Sequence, residues 1–462
     1  MKICSKIKAL KCAGKIGKKI GSRKIIDDPD ILEKYAHDES DETPHLPAAV
    51  VLPENAGDVS HILRLAEQDG VYITPRGGGT GKSGGAVPIL GGIVLSMEKM
   101  KGIEEISRDD LISVVRPGTI LKDFHNNVEE NGLFYPPDPA SLSNCSIGGN
   151  VVENAGGPRA FKYGTTSNYV ISLEMVLMGG KVIKAGRRTV KQVGGPSLVS
   201  LMSGSEGTLS VITNIWVKLL PLPQTCSTLV ISFSSIENAF RASNAVFREG
   251  ILPRVMDFID STCMNLMREY AKIDIVPEGN SVLLVELDGR AGDVENQIDR
   301  ISDVMEKHGA NQVFLLSGAV EKSKFWEARR ELSEYLKKKF SVKLSDDISL
   351  PRSKISNVIE KIYEYANNLQ IVCAIFGHCG DGNLHVNLLG MSEHQKKQIL
   401  LMRDSMMKVV LEVEGAVSGE HGIGSLKKKY LRWQQGRELL AMQKKLKLLF
   451  DPGGFLNPGK IY

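Results

Sequence analysis

The chain has 462 residues, of which 24% are charged and 42% hydrophobic, and a formal net charge of +4. One hydrophobic core stops growing at roughly 250–300 residues, so this length implies two or three structural units, and the composition excludes a disordered chain. The charge excess is too small to point to nucleic acid, and no run of about 18 apolar residues or secretory leader pattern can be read; a cytoplasmic protein, at most peripheral to a membrane, is expected.

Residues 1–26 hold nine Lys or Arg and no acid. Ile3, Ile7 and Leu10 recur there at helical spacing, which reads as a solvated amphipathic helix compatible with an acidic partner or lipid surface. A short strand follows at 49–53, then a helix marked by Val59, Ile62, Leu63 and Ala66 and closed by Gly70, then a strand at 71–74. Between 75 and 95, clustered Gly and Pro require a loop built from backbone. Strands are expected at 111–115, 171–178, 182–185 and 209–220, giving an α+β first half. From Leu229, the apolar runs LVISF, RVMDFID, SVLLVEL and QVFLL alternate with helical stretches, as in an α/β sandwich with its own sheet. The expected division is a basic N-terminal segment and helix (1–42), a first domain (43–222), a second (223–410) and a C-terminal segment packing back on the first (411–462). Seven cysteines without a C-x-x-C pair exclude a legible disulfide framework or iron–sulfur cassette and fit a reducing compartment.

Arg76-Gly77-Gly78-Gly79-Thr80-Gly81-Lys82-Ser83 ends like a Walker loop, but Arg76 occupies the position of that motif's first Gly, and Gly84, Gly85 and Pro88 cannot open its helix. A G-x-G-x-x-G dinucleotide turn fails for want of the same strand–loop–helix unit. Consecutive glycines still let several N–H groups converge on an anion, with Thr80 and Ser83 adding hydroxyls: a pyrophosphate nest. A second small-residue segment runs from Pro136 through Ser141, Ser146-Ile147-Gly148-Gly149-Asn150 and Asn154-Ala155-Gly156-Gly157 to Gly164, and a third is Gly204-Ser205-Glu206-Gly207-Thr208. Three such segments in one domain point to a large, extended nucleotide cofactor.

The ordered set PRGGGTG, PPDP, IGGN, NAGG, KYG, GSEGTL, GHCGDGNLH, SGEHGIG and FDPGGFLNPGKI, from about residue 40 to the end, resembles the FAD-linked 2-hydroxyacid dehydrogenases and oxidases of the vanillyl-alcohol oxidase superfamily. Within that family it is most similar to D-lactate dehydrogenases and glycolate oxidase flavin subunits, with D-2-hydroxyglutarate dehydrogenases nearby. The resemblance implies a two-subdomain FAD-binding domain plus an α/β-sandwich cap carrying substrate residues. It assigns the FAD pyrophosphate to Arg76, Gly77, Gly78, Gly79, Thr80 and Gly81, and other FAD contacts to Ser141, Gly148, Gly149, Asn154, Gly164, Glu206, Gly207, Ile212 and Asn457. No His lies between Arg76 and Gly85, so the FAD is expected to be noncovalent.

His378 and His385 flank a Gly-Asp-Gly turn between two apolar runs, and two strands joined by that turn can aim both imidazoles into one pocket. Glu420, in Ser418-Gly419-Glu420-His421-Gly422, offers a third ligand. Two His and a carboxylate with an open position suit a catalytic divalent metal, zinc in particular, and the resemblance assigns the same three residues that role. Cys379 and Asp381 are read as bystanders. Oxidising a 2-hydroxyacid removes the hydroxyl proton and passes a hydride to flavin N5; His421 is the candidate base, and Asn387, on the strand face of His385, an orienting residue. The substrate carboxylate needs a cation. The Trp-x-x-Arg pattern of Trp326 and Arg329 is similar to the family's substrate helix, with Ser333 one turn on and Arg330 as the alternative. D-2-hydroxyglutarate dehydrogenases carry a Lys where this chain has Ser345, which favours a monocarboxylate such as D-lactate or glycolate, although Lys343 is close by. Electrons would leave to a separate acceptor: an electron-transfer flavoprotein, an iron–sulfur subunit or a quinone. The rivals are a D-2-hydroxyglutarate dehydrogenase, a non-catalytic FAD electron-transfer subunit, and a metal-dependent hydrolase of nucleotides.

Overall fold

A computed structural model describes residues 2–273 and 279–462, and the chain divides into two compact units. The first comprises Met1–Ala155, Thr165–Leu222 and His421–Tyr462; the second comprises Gly156–Gly164 and Pro223–Glu420.

Among the described residues, the first unit contains two larger sheets and a two-stranded ribbon of Leu133–Phe134 with Leu220–Pro221. In one, the short parallel strands Ala49–Val51 and Ile73–Arg76 flank Ile93–Ser96, and Ile25–Ile26 adds an antiparallel edge. The other is a five-stranded antiparallel sheet in the order Ile103–Ser107, Ile112–Val115, Val211–Lys218, Val170–Val176, Val182–Gly186. Helix Ala56–Gln68 starts where the Asn55 side chain accepts the Asp58 N–H, and its Val59, Ile62, Leu63 and Ala66 join the core with Val51, Ile73, Ile93, Leu95 and Val211.

The basic N-terminal helix, Lys6–Ile20, differs from its expectation of a solvated element. Ala9, Cys12, Ala13 and Ile16 recur at i, i+3, i+4 and i+7 and are buried in that same core, whereas Ile3 and Ile7 are exposed. The small Ala and Cys side chains that let this helix approach closely carry a weaker apolar signal than the isoleucines on its outer face.

The second unit is built on a seven-stranded antiparallel sheet, in the order 310–316, 225–233, 281–289, 255–260, 372–378, 383–390, 342–349. Helices Ser261–Ala271, Ala319–Arg330 and Leu332–Lys339 pack on one face through Met264, Met267, Phe325, Ala328, Leu332 and Leu336 against Ala374, Phe376 and Leu389. Asp260 caps the first of these helices by accepting the Cys263 N–H at 2.8 Å. No described helix is long and apolar enough to cross a membrane.

Candidate active site

The chemistry of the second unit gathers on the sheet face covered by those helices. Strands Val372–His378 and Asn383–Gly390 form a hairpin whose register sets Phe376 opposite His385 and Ala374 opposite Asn387. His378, at the end of the first strand and opposite Asn383, lies two residues past Phe376 and so on that same face. Its ring centroid lies 5.3 Å from that of His385, with the two planes perpendicular. Glu420 Oε1 is 3.4 Å from His378 Nε2 and 3.5 Å from His385 Nε2. Metal bonds of about 2.0–2.2 Å in tetrahedral array set ligand atoms roughly 3.4 Å apart, so this donor set has the separations a zinc-like ion requires. The bystanders turn elsewhere: the Cys379 thiol donates to Met256 O, and Asp381 accepts the Asn383 N–H. Burial lifts the Asp381 carboxyl to about 6, against the opposing pull of His378.

Two fully buried aspartates hold the trio. Asp257, on the neighbouring strand Val255–Asp260, accepts His378 Nδ1–H on Oδ1 at 2.7 Å and Arg329 Nε–H on Oδ2 at 2.8 Å, with Arg329 Nη2 in ion-pair range of the same oxygen at 2.6 Å. Burial pushes the Asp257 carboxyl up, but Arg329 and His378 outweigh it and hold the group well below the usual carboxylate range. Burial likewise opposes a charge on His378, yet Asp257 and Glu420 hold its pKa well above the ordinary imidazole value; a metal bound there would have to displace that proton. Asp347, directly opposite His385 in strand Val342–Ser349, accepts Ser418 Oγ–H, Gly419 N–H and Glu420 N–H on Oδ2, at 2.9, 2.8 and 3.0 Å. A Cβ at Gly419 would collide with the Asn383 amide, so only glycine lets the Glu420 loop lie this close.

The substrate candidates are distributed unevenly. Asn387 is buried, accepts from Ser345 Oγ at 2.6 Å and donates to Ala374 O. Arg329 is the residue committed to Asp257. Ser333 lies beyond a helix break at Glu331, on the next helix and not one turn along the same one, and it accepts Lys343 Nζ at 2.6 Å. Arg330 is exposed beside the Trp326 ring. His421 follows Glu420 in the chain, at the division between the two units.

The first unit brings most of the proposed FAD residues into one neighbourhood. Gly77 and Gly78 pack against Ser146 and Asn144, where a Cβ at Gly78 would overlap the Asn144 carbonyl oxygen. Ser146 caps helix Ile147–Glu153, which contains Gly148 and Gly149, and Asn154 ends it in the left-handed conformation, its Oδ1 accepting the Ser167 N–H. Glu206 accepts the N–H groups of Ile423 and Gly424, and Asn457 Nδ2 donates to Glu206 O and Gly85 O. Burial raises the Glu206 carboxyl against those two N–H bonds, and the burial of Glu153, with Glu206 close by, does the same there. Lys460 Nζ donates to Gly84 O and Val87 O, so the C-terminal segment pins the glycine loop. Ile212 is buried in strand Val211–Lys218 beside Met175, and Ser141 O accepts the Asn144 and Cys145 N–H groups. The Arg76 guanidinium packs against Gly79, where a Cβ would collide with it, and its Nη1 and Nη2 donate to the carbonyls of His37 and Lys34. Gly164 belongs to the segment grouped with the second unit. Ser83 Oγ and Asn457 Oδ1 are buried with no hydrogen-bond partner among the described residues, as expected of groups that a polar ligand completes. A backbone cradle with buried, unanswered polar atoms fits the diphosphate and ribityl chain of a flavin nucleotide.

Sequence reasoning missed Asp257, Asp347 and Lys460. The signal for the aspartates was an acid inside an apolar strand, RVMDFID and SDDISL, where burial of a charge requires a partner; Lys460 sits in a tail with no such contrast.

A glycine-cradle unit joined to a sheet bearing a His–His–Glu trio defines an FAD-dependent oxidoreductase of the vanillyl-alcohol oxidase fold. Residues 47–186 match the model of the FAD binding domain, and residues 222–461 match that of the FAD linked oxidases, C-terminal domain. The chain is 36% identical over 430 residues to glycolate oxidase subunit GlcD of Bacillus subtilis (strain 168), spanning 93% of this chain and 92% of that one. It is 35% identical over 429 residues to a D-lactate dehydrogenase of Archaeoglobus fulgidus, spanning 91% and 94%. Among solved structures, p-cresol methylhydroxylase with substrate bound shares the fold at a TM-score of 0.82 and 16% identity, over 99% of this chain and 97% of that one. The chain therefore belongs to the FAD-linked oxidase family, and FAD is its cofactor.

Proposed function

We propose that this protein oxidises a small 2-hydroxyacid of the D-lactate or glycolate class to the 2-oxoacid and passes the electrons to a separate acceptor, such as an electron-transfer flavoprotein, an iron–sulfur subunit or a quinone. The observation that carries this reading is the convergence of His378, His385 and Glu420 on one point, in a chain whose relatives are named glycolate oxidase subunit and D-lactate dehydrogenase. FAD, when bound, supplies the hydride acceptor, and a divalent metal such as zinc at the trio supplies a Lewis acid for the substrate oxygens. His421, one peptide bond from Glu420, takes the hydroxyl proton. Asn387 orients the substrate. Arg329 or Arg330 answers the substrate carboxylate, Arg329 while sharing its charge with Asp257. A monocarboxylate is favoured because Ser345, where a dicarboxylate enzyme of this kind carries Lys, donates to Asn387, and the nearby Lys343 amine is engaged with Ser333.

The test is anaerobic bleaching of the bound flavin by a panel of D- and L-hydroxyacids, with and without a chelator. Rapid bleaching by D-lactate or glycolate, lost on chelation and regained with zinc, is expected. Bleaching by D-2-hydroxyglutarate alone, or by none of the panel, refutes the substrate assignment.

A further inference from the structure

We infer that Asp257 is a positioning residue for this centre: it fixes the proton of His378 on Nδ1 and thereby turns the Nε2 lone pair toward Glu420. The inference rests on the metal reading of the trio. Within the second unit, His378, Asp257 and Arg329 form a continuous buried chain, exposed by 5%, 0% and 5%. The carboxylate is an acceptor only, so the nitrogen 2.7 Å from Oδ1 must donate, and the opposite ring nitrogen is the one near Glu420 Oε1. Arg329 supports the arrangement by donating Nε–H to the other oxygen and setting its charge beside it, which keeps the carboxylate ionised and stops it from rotating.

The same geometry dictates what an amide does in this position. In Asp257→Asn, the Arg329 Nε–H and the charge beside it claim the single carbonyl oxygen, and the NH2 faces His378 Nδ1. That nitrogen then becomes an acceptor, the ring proton moves to Nε2, and the lone pair that would bind a metal is lost. Removing the guanidinium as well, in Asp257→Asn with Arg329→Leu, leaves the amide able to turn its oxygen toward Nδ1.

The experiment is zinc affinity of the FAD-loaded protein, measured by competition with a chelator at one pH, with flavin content and far-UV circular dichroism as checks on folding. Asp257→Asn is expected to bind zinc roughly 10–100-fold more weakly than wild type, and the double variant to regain most of that loss. Affinity of the single variant within about threefold of wild type, or a folded double variant as weak as the single, overturns the inference. Should the single variant not fold, wild type labelled with 15N-histidine and saturated with zinc decides, its His378 signal assigned by difference from His378→Gln. A proton on His378 Nδ1 is expected, and a bare Nδ1 overturns the inference. Wild type that binds no zinc is a separate failure, that of the metal reading itself.

Discussion

Replacing Asp347 by alanine tests whether a buried carboxylate, and not the loop's own sequence, sets the position of Glu420. Four donors converge on Asp347: Ser418 Oγ, Gly419 N, Glu420 N and Asn383 Nδ2, the last at 2.5 Å. Asn383 keeps a second acceptor in Ile348 O at 3.0 Å; the other three lose the acceptor described here. At a net value of about 1 kcal/mol per hydrogen bond, the four together amount to about 4 kcal/mol. A domain of this size loses about 2–4 °C in Tm per kcal/mol, so the unfolding transition of the second unit should fall by about 8–16 °C. Differential scanning calorimetry with metal chelated removes any contribution from ligand binding. Zinc affinity should fall along with Tm, because the N–H that tethers Glu420 has lost its acceptor. A Tm within about 3 °C of wild type, with zinc binding intact, would refute the argument that Asp347 holds the Ser-Gly-Glu loop.

Three further outcomes follow from other parts of the molecule. His421→Ala should retain its yellow colour while substrate-driven flavin reduction slows by about 10²–10⁴-fold, the usual worth of a general base; bleaching at the wild-type rate removes the role assigned to His421. Gly78→Ala forces the glycine loop away from the Asn144 carbonyl and should weaken FAD by about tenfold or more, read as flavin retained on gel filtration; full retention contradicts the close-approach argument. Burial lowers the Lys460 amine to about 8, so between roughly pH 8 and 10 the unfolded chain holds a proton that the folded one has released. The difference in stability between wild type and Lys460→Met should therefore shift toward wild type as pH rises, by up to about 1.4 kcal/mol per pH unit. Denaturant melts at pH 8 and pH 10 check the sign, and a shift in the other direction rejects it.

The parts of this protein that were legible in its sequence are those where local chemistry has few alternatives. Loops of consecutive glycine admit little regular structure, and the alternation of apolar runs with helical stretches after Leu229 matches the strands and helices found from Thr225 to Leu316. His378 and His385 were readable as a pair because a Gly-containing turn between two apolar runs fixes a hairpin, and hairpin register then fixes which side chains face each other. What the sequence could not convey is long-range pairing. Asp257 lies 121 positions from His378 and 72 from Arg329, and no periodicity links the three. The same limit explains Arg329. On a helix of its own it reads as a free cation suited to a carboxylate, and its engagement with Asp257 is visible only once the sheet order sets strand Val255–Asp260 beside Val372–His378.

That engagement changes what the arginine can do for a substrate. A guanidinium whose Nε–H is donated to a buried aspartate, with Nη2 beside the same oxygen, can meet a substrate carboxylate only while sharing its charge with Asp257. If Arg329 serves the substrate at all, its affinity for the carboxylate is coupled through Asp257 to the proton on His378. Substrate binding and metal binding would then be coupled, since the arginine that meets the substrate is the one that holds the carboxylate fixing His378. Arg329→Lys separates the two contributions: a lysine can satisfy one oxygen of Asp257 but has no second planar donor to offer a substrate carboxylate at the same time. The substrate KM should rise while zinc affinity falls only slightly, and a KM left unchanged would assign the substrate carboxylate to Arg330.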